Sequence, residues 1–432
     1  MTSRERVRAA LEHRQPDRVP RDLGTTLVTG IHASTYAKLK AALGVRGGAV
    51  RVYDPFQMLA EVEEPVRQAL GIDTVGIQLP KTVFGYRNEN WKPFSLFDGT
   101  EVLVSGNFTY DVLDNGDIVQ YPCGDRSAPP SAKMPHGGYY YDAIVRQEPI
   151  REDKLDPEEW ARQSYAPYTE EDLRFLEETS SRYFENSEAS LIGNFGGAAF
   201  SNIAYVPGPH LAHPKGIRDP QEWYVSMLLR QDYIRRIHQY QFEIQMENLK
   251  AYHQAVGERI DVIYMSGTDF GSQKGPFISP ALYRELFKPL HKAMNDWVHQ
   301  NTRWRTLYHS CGSVVAFLDD FVEAGFDILN PVQLSAEGMD PRFLKETYGR
   351  KLVFWGGGVD TQHTLPFASP DEVRREVKRN LEIFGAGGGY VFNTVHNIQA
   401  NIPVENLLAM FETLAAAGDC GAAGGHRTGA QP

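Results

Sequence analysis

The chain is poor in cysteine, and its three cysteines, Cys123, Cys311 and Cys420, follow no regular spacing. An odd, scattered set does not make a disulfide framework, so a reducing compartment is expected. No run of about 18 apolar residues occurs, which excludes a membrane-spanning helix. The charged segment from Met1 to His13 lacks the apolar stretch of a secretory signal, so the cytoplasm is the expected location.

Positive charge is also scarce, since 44 basic residues stand against 55 acidic ones and give a formal net charge of -11. This balance argues against a nucleic-acid binder, which needs a basic surface to neutralise phosphates. The hydrophobic content of 42% and the charged content of 23% are typical of a globular protein with a sizeable core. A length of 432 residues fits one large barrel or two ordinary domains.

The second half of the chain alternates between predicted strands and predicted helices. The strands are Val262–Met265, Arg305–His309, Asp327–Asn330, Lys351–Trp355 and Tyr390–Thr394. The helices are Ala281–Gln300, Val314–Ala324, Pro341–Tyr348, Asp371–Phe384 and Val404–Ala416. Five consecutive strand–helix units indicate a parallel sheet, which is either a closed barrel or an open doubly wound sheet.

Three earlier strands, Val19–Leu23, Thr74–Leu79 and Leu191–Phe195, bring the predicted number to eight. Eight parallel strands favour the α/β class and a single closed (β/α)8 TIM barrel over residues 1–417. Thr2 and Glu5 form a capping box at the start of a helical N-terminal extension, and a second helix is predicted at Ser34–Leu43.

Residues 80–165 interrupt the alternation and are predicted to be an insertion on the barrel. Within Phe97–Tyr121, polar and apolar residues alternate around the turn sequences Asp98-Gly99 and Asn115-Gly116-Asp117, which predicts a β-hairpin or small meander. The run Pro129–Tyr141 is predicted to be an irregular loop. The insertion is either a lid or partner-docking element, or a structural flap without a role of its own.

The Gly- and Ala-rich tail at 418–432 is predicted to be disordered. On that ground Cys420 and His426 are excluded from any site.

In a TIM barrel the catalytic groups lie at the carboxyl ends of the strands. The strand from Arg305 ends in His309 and Cys311, and residues two apart in an extended segment point to the same side. An imidazole beside a thiolate suits zinc. The alternative is a buried cysteine next to a histidine with satisfied hydrogen bonds.

A catalytic zinc site usually has three protein ligands and one open position. Among the residues that end the later strands, His396 is the strongest candidate for the third ligand. It is alternatively a substrate hydrogen-bonder or a structural histidine. Asp360 is a reserve ligand, or an acceptor for a ligating histidine.

Asp269 lies just beyond the strand Val262–Met265 and is the predicted catalytic residue, as general acid or base or as a substrate hydrogen-bonder. Its alternative is an acidic residue at a helix N-terminus. Gly356–Gly358 either cradles an anion or makes a tight turn. The predicted substrate-binding residues are Gln273, Asn330, Gln333, Trp355 and Asp360.

The sequence resembles the uroporphyrinogen decarboxylase superfamily over nearly its whole length. The resemblance is carried by the opening Thr2–Val7 and Pro16–Pro20, and by Gly271–Pro280, His309–Gly312, Gly357–Asp360 and Pro403–Asn406. It implies a (β/α)8 barrel. It also implies one of two chemistries, namely metal-free decarboxylation of uroporphyrinogen or zinc-dependent methyl transfer with a corrinoid protein.

Two motifs favour the methyltransferase branch, which includes coenzyme M methyltransferases and components of O-demethylases. Decarboxylases carry a basic propionate-binding motif near the N-terminus, whereas this chain has Arg21-Asp22-Leu23-Gly24-Thr25-Thr26. The methyltransferase branch carries His-x-Cys-Gly, which matches His309–Gly312.

One departure concerns the third ligand. Coenzyme M methyltransferases place a cysteine in a Gly-Cys-Gly context before the final Pro-x-Glu-Asn, whereas this chain has Val395-His396-Asn397 before Pro403–Asn406. Decarboxylases have a substrate-contacting histidine at that place. The resemblance therefore leaves open whether His396 binds zinc or substrate, and it argues against coenzyme M as the acceptor.

The predicted function is a zinc methyltransferase that moves a methyl group from a methylated small molecule to a corrinoid (cobalamin) carried by a partner protein, as a demethylase component does. Phe270, Tyr308 and Trp355 are expected to flank the mouth and to hold an apolar or aromatic methyl donor. Three alternatives stay open, namely transfer from methyl-corrinoid to an acceptor, metal-free decarboxylation, and a non-catalytic module that binds a corrinoid protein. A homodimer is possible.

Overall fold

The computed structural model describes residues 1–203 and 206–423. Its helices are α1 Ser3–Leu11, α2 Ala33–Ala42, α3 Glu64–Leu70, α4 Pro157–Ser164, α5 Glu170–Asn186, α6 Pro220–Leu229, α7 Gln231–Val256, α8 Pro280–Leu286, α9 Lys288–Asn301, α10 Leu318–Glu323, α11 Pro341–Tyr348, α12 Thr364–Phe367, α13 Pro370–Phe384 and α14 Val404–Ala423.

The strands are β1 Val52–Asp54, β2 Leu59–Ala60, β3 Thr74–Ile77, β4 Lys92–Ser95, β5 Glu101–Val104, β6 Tyr110–Val112, β7 Ile118–Gln120, β8 Ala132–Met134, β9 Asp142–Ala143, β10 Ser190–Asn194, β11 Val262–Ser266, β12 Arg305–His309, β13 Ile328–Asn330, β14 Val353–Trp355 and β15 Tyr390–Val391. None of the described helices combines the length and the apolar character that a bilayer-crossing segment requires.

The central element is a parallel sheet in the order β15-β14-β13-β12-β11-β10-β3. Its inward residues, such as Val262, Leu307 and Val353, pack together and against Val7 and Leu11 of α1. A sheet that packs on its own inner face is curled, and α1 fills the amino end of that interior. The α/β class and the parallel sheet are thus confirmed, and the curled sheet is compatible with a TIM-like barrel.

The predicted first strand, Val19–Leu23, is wrong as a strand, so the described parallel sheet has seven strands and not eight. The segment makes an isolated parallel bridge between Arg21 and Phe392. In addition, Pro20 O accepts a hydrogen bond from Phe392 N (2.8 Å), and Arg21 O accepts one from Asp73 N (2.8 Å). Pro20 has no N–H to donate, which limits the ladder to this short contact.

The predicted helix Ala281–Gln300 is interrupted, since α8 ends at Leu286 and α9 starts at Lys288. Pro289 explains the break, because its ring clashes with the carbonyl four residues earlier and it lacks an N–H. Likewise Val314–Ala324 is a short 3-10 turn followed by α10.

The end of the chain departs from its predicted boundary. The helix α14 continues to Ala423, past the point where a disordered tail was expected to begin. The rest of that predicted tail, residues 424–432 with His426, lies outside the described residues, as does the side chain of Cys420.

Residues 80–165 contain two small antiparallel sheets, β4-β5 and β6-β7-β8-β9. Both predicted turns connect strands, Asp98-Gly99 between β4 and β5 and Asn115-Gly116-Asp117 between β6 and β7. The predicted irregular loop Pro129–Tyr141 is partly wrong, because it contains β8, which pairs with β7 and β9.

The residues of this insertion follow the carboxyl end of β3 and are tied to the rest of the chain on two sides. Tyr139 O accepts a hydrogen bond from the ring of His32 (2.8 Å), and the Arg146 guanidinium donates to Gly208 O (2.7 Å).

Asp73 connects the elements at the amino end of the sheet and is fully buried. Its carboxylate accepts from Arg6 (2.6 Å), Arg18 (2.7 Å), the backbone of Arg21 (2.9 Å) and Ser3 (2.8 Å). Ser3 and Arg6 belong to α1, and Arg18 and Arg21 belong to the segment between α1 and α2. One carboxylate therefore holds α1 and this segment against the start of β3.

We predict that Asp73→Ala destabilises the fold by about 3 kcal/mol, because it leaves two guanidinium groups without their buried partner. Urea unfolding followed by circular dichroism measures the loss. The control is Glu12→Ala, which removes the exposed Glu12–Arg14 pair and should change the free energy of unfolding by less than about 0.5 kcal/mol. Equal effects of the two substitutions would contradict the role of Asp73.

The layer outside β11 and β12 contains buried, neutral histidines. His291 accepts or donates through its two ring nitrogens to Tyr283 OH (3.1 Å) and Ala198 O (3.0 Å). Burial lowers the pKa of His291 from 6.5 to about 3.

We predict that acid weakens the fold partly through His291. Because its pKa is lower in the folded chain than in the unfolded chain, the unfolded chain takes up the proton first, and stability falls as the pH drops from about 6.5 toward 3. His291→Gln should reduce the slope of unfolding free energy against pH by up to about 1.4 kcal/mol per pH unit. Gln239→Asn, at an exposed position without a titratable group, should leave the slope unchanged in the same urea titrations.

Candidate metal and active site

The carboxyl ends of β12 and β13 meet at one edge of the sheet, where the parallel register pairs His309 with Asn330. The amide Nδ2 of Asn330 donates to Trp355 O (2.8 Å), so Asn330 Oδ1 faces the neighbouring strand and accepts from His309 Nδ1 (2.6 Å). An amide oxygen only accepts, and therefore His309 carries its proton on Nδ1. The lone pair of His309 Nε2 is left available to a metal.

His309, Cys311 and His396, the three predicted ligands, lie together. Cys311 Sγ is 3.4 Å from His309 Nε2, and one ligand atom from each of the three residues lies within 4.8 Å of the others. The His309 and His396 rings are 5.5 Å apart between centroids. His396 comes from the loop after β15, so the curl of the sheet brings it to the β12 loop.

The donor set and its spacing fit zinc. Zinc bonds of about 2.0–2.1 Å to nitrogen and about 2.3 Å to sulfur, in a tetrahedron, place nitrogen and sulfur donors roughly 3.5 Å apart. The observed 3.4 Å between Cys311 Sγ and His309 Nε2 agrees with this spacing. His309 and His396 offer imidazole nitrogens, and Cys311 offers a soft sulfur. This combination favours zinc over magnesium or calcium.

Asp269, the predicted catalytic residue, lies beside this cluster. Its Oδ1 accepts from Cys311 N (2.7 Å) and is 3.9 Å from His309 Nε2. The alternative, an acidic residue at a helix N-terminus, is wrong, because α8 begins at Pro280 with Ser279 as its cap.

The loops after β11 and β12 are joined along their length, which fixes Asp269 relative to Cys311. Phe270 N donates to Ser310 Oγ (2.9 Å), and Ser313 N donates to Ser272 O (2.8 Å). Between these bonds Gly271 lies against Gly312, where a Cβ on Gly312 would come within 2.3 Å of Gly271 O. Glycine is required at this contact because no side-chain atom fits between the two backbones.

Burial dominates the electrostatics of the cluster. It lowers the pKa of His309 to about 4, and burial together with the neighbouring His309 lowers the pKa of His396 to about 4. Burial, followed by the charge of Asp269, raises the pKa of the Cys311 thiol. Burial also raises the pKa of Asp269, opposed by the Cys311 N–H and by His396. Without a cation the cluster thus favours two neutral imidazoles and a protonated thiol. A bound cation would compensate the negative charge of the Cys311 thiolate, which burial disfavours.

The predicted substrate-binding residues separate into rim and interior. Gln273 is exposed at the rim and donates to Gln362 Oε1 (2.7 Å). Gln333 is buried, and its Oε1 accepts from Gly312 N (2.7 Å). Asn330 was expected to contact substrate, whereas both ends of its amide are engaged with His309 and Trp355.

Asp360, predicted as a reserve ligand, lies outside the cluster of His309, Cys311 and His396. Its carboxylate accepts from Gln362 N (2.7 Å) and lies 3.2 Å from the ring of His363. The acceptor for His309 is Asn330 rather than this carboxylate.

The aromatic residues expected at the mouth are packed in the interior instead. Phe270, Tyr308 and Trp355 are each 1% exposed or less. Phe270 and Tyr308 belong to an aromatic cluster against the outer helices, with Tyr308 stacked on Phe326 at 4.5 Å. Trp355 donates through Nε1 to the buried Asp22 (2.8 Å). The expectation that they hold a methyl donor is not supported by these positions.

Gly356–Gly358 makes close packing contacts, which favours the tight-turn interpretation over an anion cradle. A Cβ on Gly357 would lie 2.8 Å from Val332, and one on Gly358 would lie 2.3 Å from the Phe392 ring. The N–H groups of Gly356 and Gly358 donate to Val391 O (3.1 Å) and Asn393 O (2.9 Å).

Two residues near the site were not predicted. Asp22 is a buried carboxyl that accepts from Thr25, Thr74 and Trp355, and burial raises its pKa. An acidic residue between Arg21 and Leu23, in a short segment predicted as a barrel strand, is the sequence pattern that could have indicated it. Tyr224 of α6 lies near Asp269, since burial and then the Asp269 charge raise the pKa of Tyr224 to about 12. No sequence pattern places that helix beside the mouth.

A curled parallel sheet whose carboxyl edge carries imidazole, thiol and carboxylate groups is the architecture of an α/β enzyme. The family model of uroporphyrinogen decarboxylase (URO-D) matches residues 145–417, which is more than half of the chain. The chain therefore belongs to the uroporphyrinogen decarboxylase family, which confirms the resemblance found in the sequence.

Curated relatives and a solved structure are similar to this chain at low identity. A uroporphyrinogen decarboxylase of Geotalea daltonii is 26% identical over 249 residues, covering 57% of this chain and 66% of that protein. One of Mannheimia succiniciproducens is 28% identical over 123 residues, covering 27% of this chain and 31% of that protein. These matches span less than two thirds of the relatives' own length. A methyltransferase from Methanosarcina mazei aligns over 97% of this chain and 98% of its own, with 16% identity and a TM-score of 0.49.

We predict that Asn330→Ala weakens zinc binding roughly 10- to 100-fold, because His309 loses the acceptor that fixes its ring and tautomer. Competition with a chromogenic chelator measures the affinity. The control is Asn295→Ala, which removes another buried asparagine that donates to Ala324 O (2.8 Å) far from the cluster. If both variants bind zinc equally well, the hydrogen bond from His309 to Asn330 does not orient a ligand.

Proposed function

We propose that this protein is a zinc-dependent methyltransferase that moves a methyl group from a methylated small molecule to a corrinoid carried by a partner protein. The single observation that carries the proposal is the cluster of His309, Cys311 and His396 at the carboxyl edge of the sheet. Three protein donors of this kind, with a position left for a substrate atom, make the ligand set of a catalytic rather than a structural zinc.

His309, Cys311 and His396 would hold the zinc, which when bound supplies a Lewis acid that polarises the oxygen, nitrogen or sulfur atom bearing the methyl group. Asn330 keeps the His309 ring turned so that Nε2 faces the cluster. Gln333 holds the Gly312 backbone, and through it the turn that carries Cys311. These contacts give the ligands a fixed arrangement before any substrate arrives.

Asp269 is the residue placed to exchange a proton with the substrate heteroatom. Its carboxyl lies at the edge of the cluster, and its side chain is 30% exposed, whereas that of His309 is 3% exposed. Without a cation, burial raises the pKa of Asp269, and a zinc ion beside it would lower that pKa and favour the carboxylate that accepts a proton.

The insertion at 80–165 would supply a lid or the docking surface for the corrinoid protein. A corrinoid is too large to enter the interior of the sheet, so it has to be presented at the mouth. The two small sheets of the insertion follow the carboxyl end of β3 in the chain, which supports this assignment. Transfer in the opposite direction, from a methyl-corrinoid to an acceptor, would use the same ligands.

A metal-free decarboxylase is the second candidate, and the family membership favours it. Carboxylated substrates need cationic partners, and Arg21 is the arginine nearest in sequence to the family's basic motif. Its guanidinium donates to Leu70 O (2.9 Å) and Leu414 O (2.6 Å), at the amino end of β3 rather than at the mouth. This commitment of Arg21 argues against uroporphyrinogen as the substrate.

We predict that the purified protein holds about one zinc per chain and that Cys311→Ala and His309→Ala lose it, since a catalytic zinc requires all three ligands. Plasma mass spectrometry measures the metal. Methyl transfer is followed optically as Co(I) cobalamin is consumed with a panel of methyl ethers, methylamines and methyl thioethers. Cys123→Ser, at the exposed free cysteine, is the control and should keep both zinc and activity.

His396→Ala separates the two roles left open for that residue. Loss of zinc identifies a ligand, whereas retained zinc with impaired turnover identifies a substrate contact. A wild-type protein without zinc, decarboxylating a tested substrate at a rate that Cys311→Ala does not change, would overturn the proposed function.

A further inference from the structure

A fourth donor group stands next to the three candidate ligands. Asp269 Oδ1 is 3.9 Å from His309 Nε2, which is about 0.5 Å longer than the roughly 3.4 Å between a nitrogen and an oxygen ligand of one zinc ion. The carboxylate lies on the β11 loop, whereas His309 and Cys311 lie on β12 and its loop and His396 on the β15 loop. Three separate segments thus meet at this cluster, with Asp269 at its edge.

The position of Asp269 is imposed by the backbone rather than chosen by a mobile side chain. The loop is held at Phe270 by Ser310, at Ser272 by Ser313, and at Gly271 by contact with Gly312. The hydrogen bond from Cys311 N then fixes one oxygen of the carboxylate (2.7 Å). Metal-binding carboxylates are commonly held in this way by a hydrogen bond from the surrounding protein.

We propose that Asp269 is the fourth protein ligand of the metal in the substrate-free enzyme. The inference rests on the proposed function only in requiring that the cluster binds a metal. A partly buried carboxylate is costly unless it meets a cation. Within the described residues, His309 is the ion-pair partner that lies within 4.0 Å of Asp269. That histidine is neutral when Nε2 serves as a ligand, so a metal ion is the cation that this geometry provides for.

Ligation by Asp269 has a consequence for substrate binding. Asp269 would then occupy the position that a substrate heteroatom takes when it binds. Once displaced by that heteroatom, the carboxylate would be free to accept a proton. The position on the metal would thus become available only when a substrate displaces Asp269.

Cobalt substitution tests the ligand directly. The apoprotein is loaded with Co(II), and the visible d–d bands of wild type, Asp269→Asn and Asp269→Ala are compared without substrate. Asparagine keeps an oxygen that accepts from Cys311 N but removes the charged ligand. We expect altered bands and at least about tenfold weaker Co(II) and Zn(II) binding in both variants. The control is Asp360→Asn, a carboxylate near the mouth that pairs with His363 and should leave the spectrum unchanged.

The same samples distinguish a ligand from a positioning residue. If Asp269→Asn has the wild-type spectrum and affinity while Asp269→Ala is impaired, Asp269 only holds Cys311 through its N–H, and the proposal is overturned. Adding 2-mercaptoethanol should change the wild-type bands toward those of a sulfur-rich ligand shell. In Asp269→Ala the same change should need less thiol, because no carboxylate competes with it. Absence of any metal binding by wild type would instead refute the proposed function, which is a different outcome.

Discussion

The hydrogen bond between His309 Nδ1 and Asn330 Oδ1 joins the last residues of two adjacent parallel strands, and the arrangement of the site follows from it. The sheet register sets the two residues side by side, and the Trp355 carbonyl determines which end of the amide faces the histidine. The remaining nitrogen of His309 is thereby directed to Cys311. A different register by one residue would place either side chain on the opposite face of the sheet.

The two ends of the sheet have different tasks. At the amino end, α1 fills the interior and Asp73 gathers Arg6, Arg18 and Ser3, which are contacts of stability. At the carboxyl end, polar groups are buried close together and their charged forms are disfavoured, which is costly for the fold. Strong ion pairing at one end offsets unfavourable burial at the other, and the short central strands hold the two ends at a fixed separation.

Much of this could be predicted from the sequence, because the strand–helix alternation is a local pattern. His309 and Cys311 were found from their position two apart at a strand end, and Asp269 from its place beyond another strand. The residues that depend on three-dimensional packing were harder. Asn330 looked like a substrate contact because its partner is on a neighbouring strand, and Phe270 and Tyr308 were placed at the mouth although they pack outward. Tyr224 belongs to a helix whose position no short pattern records.

The segment Val19–Leu23 shows the same limit in the fold. It was predicted as a strand, but only one bridge forms, because Pro20 has no N–H to extend the ladder and Arg21 N donates to the Asp73 side chain instead of to a strand.

The contact between Gly271 and Gly312 also bears on how such a site can change over evolutionary time. Two backbones that touch without room for a methyl group have shapes that must match, so neither loop can be lengthened or exchanged alone. New substrate preferences would then arise by replacing the loops after β11 and β12 as a pair, or by altering segments that take no part in this contact. The two loops are thus one structural unit, and a change in either of them constrains the other.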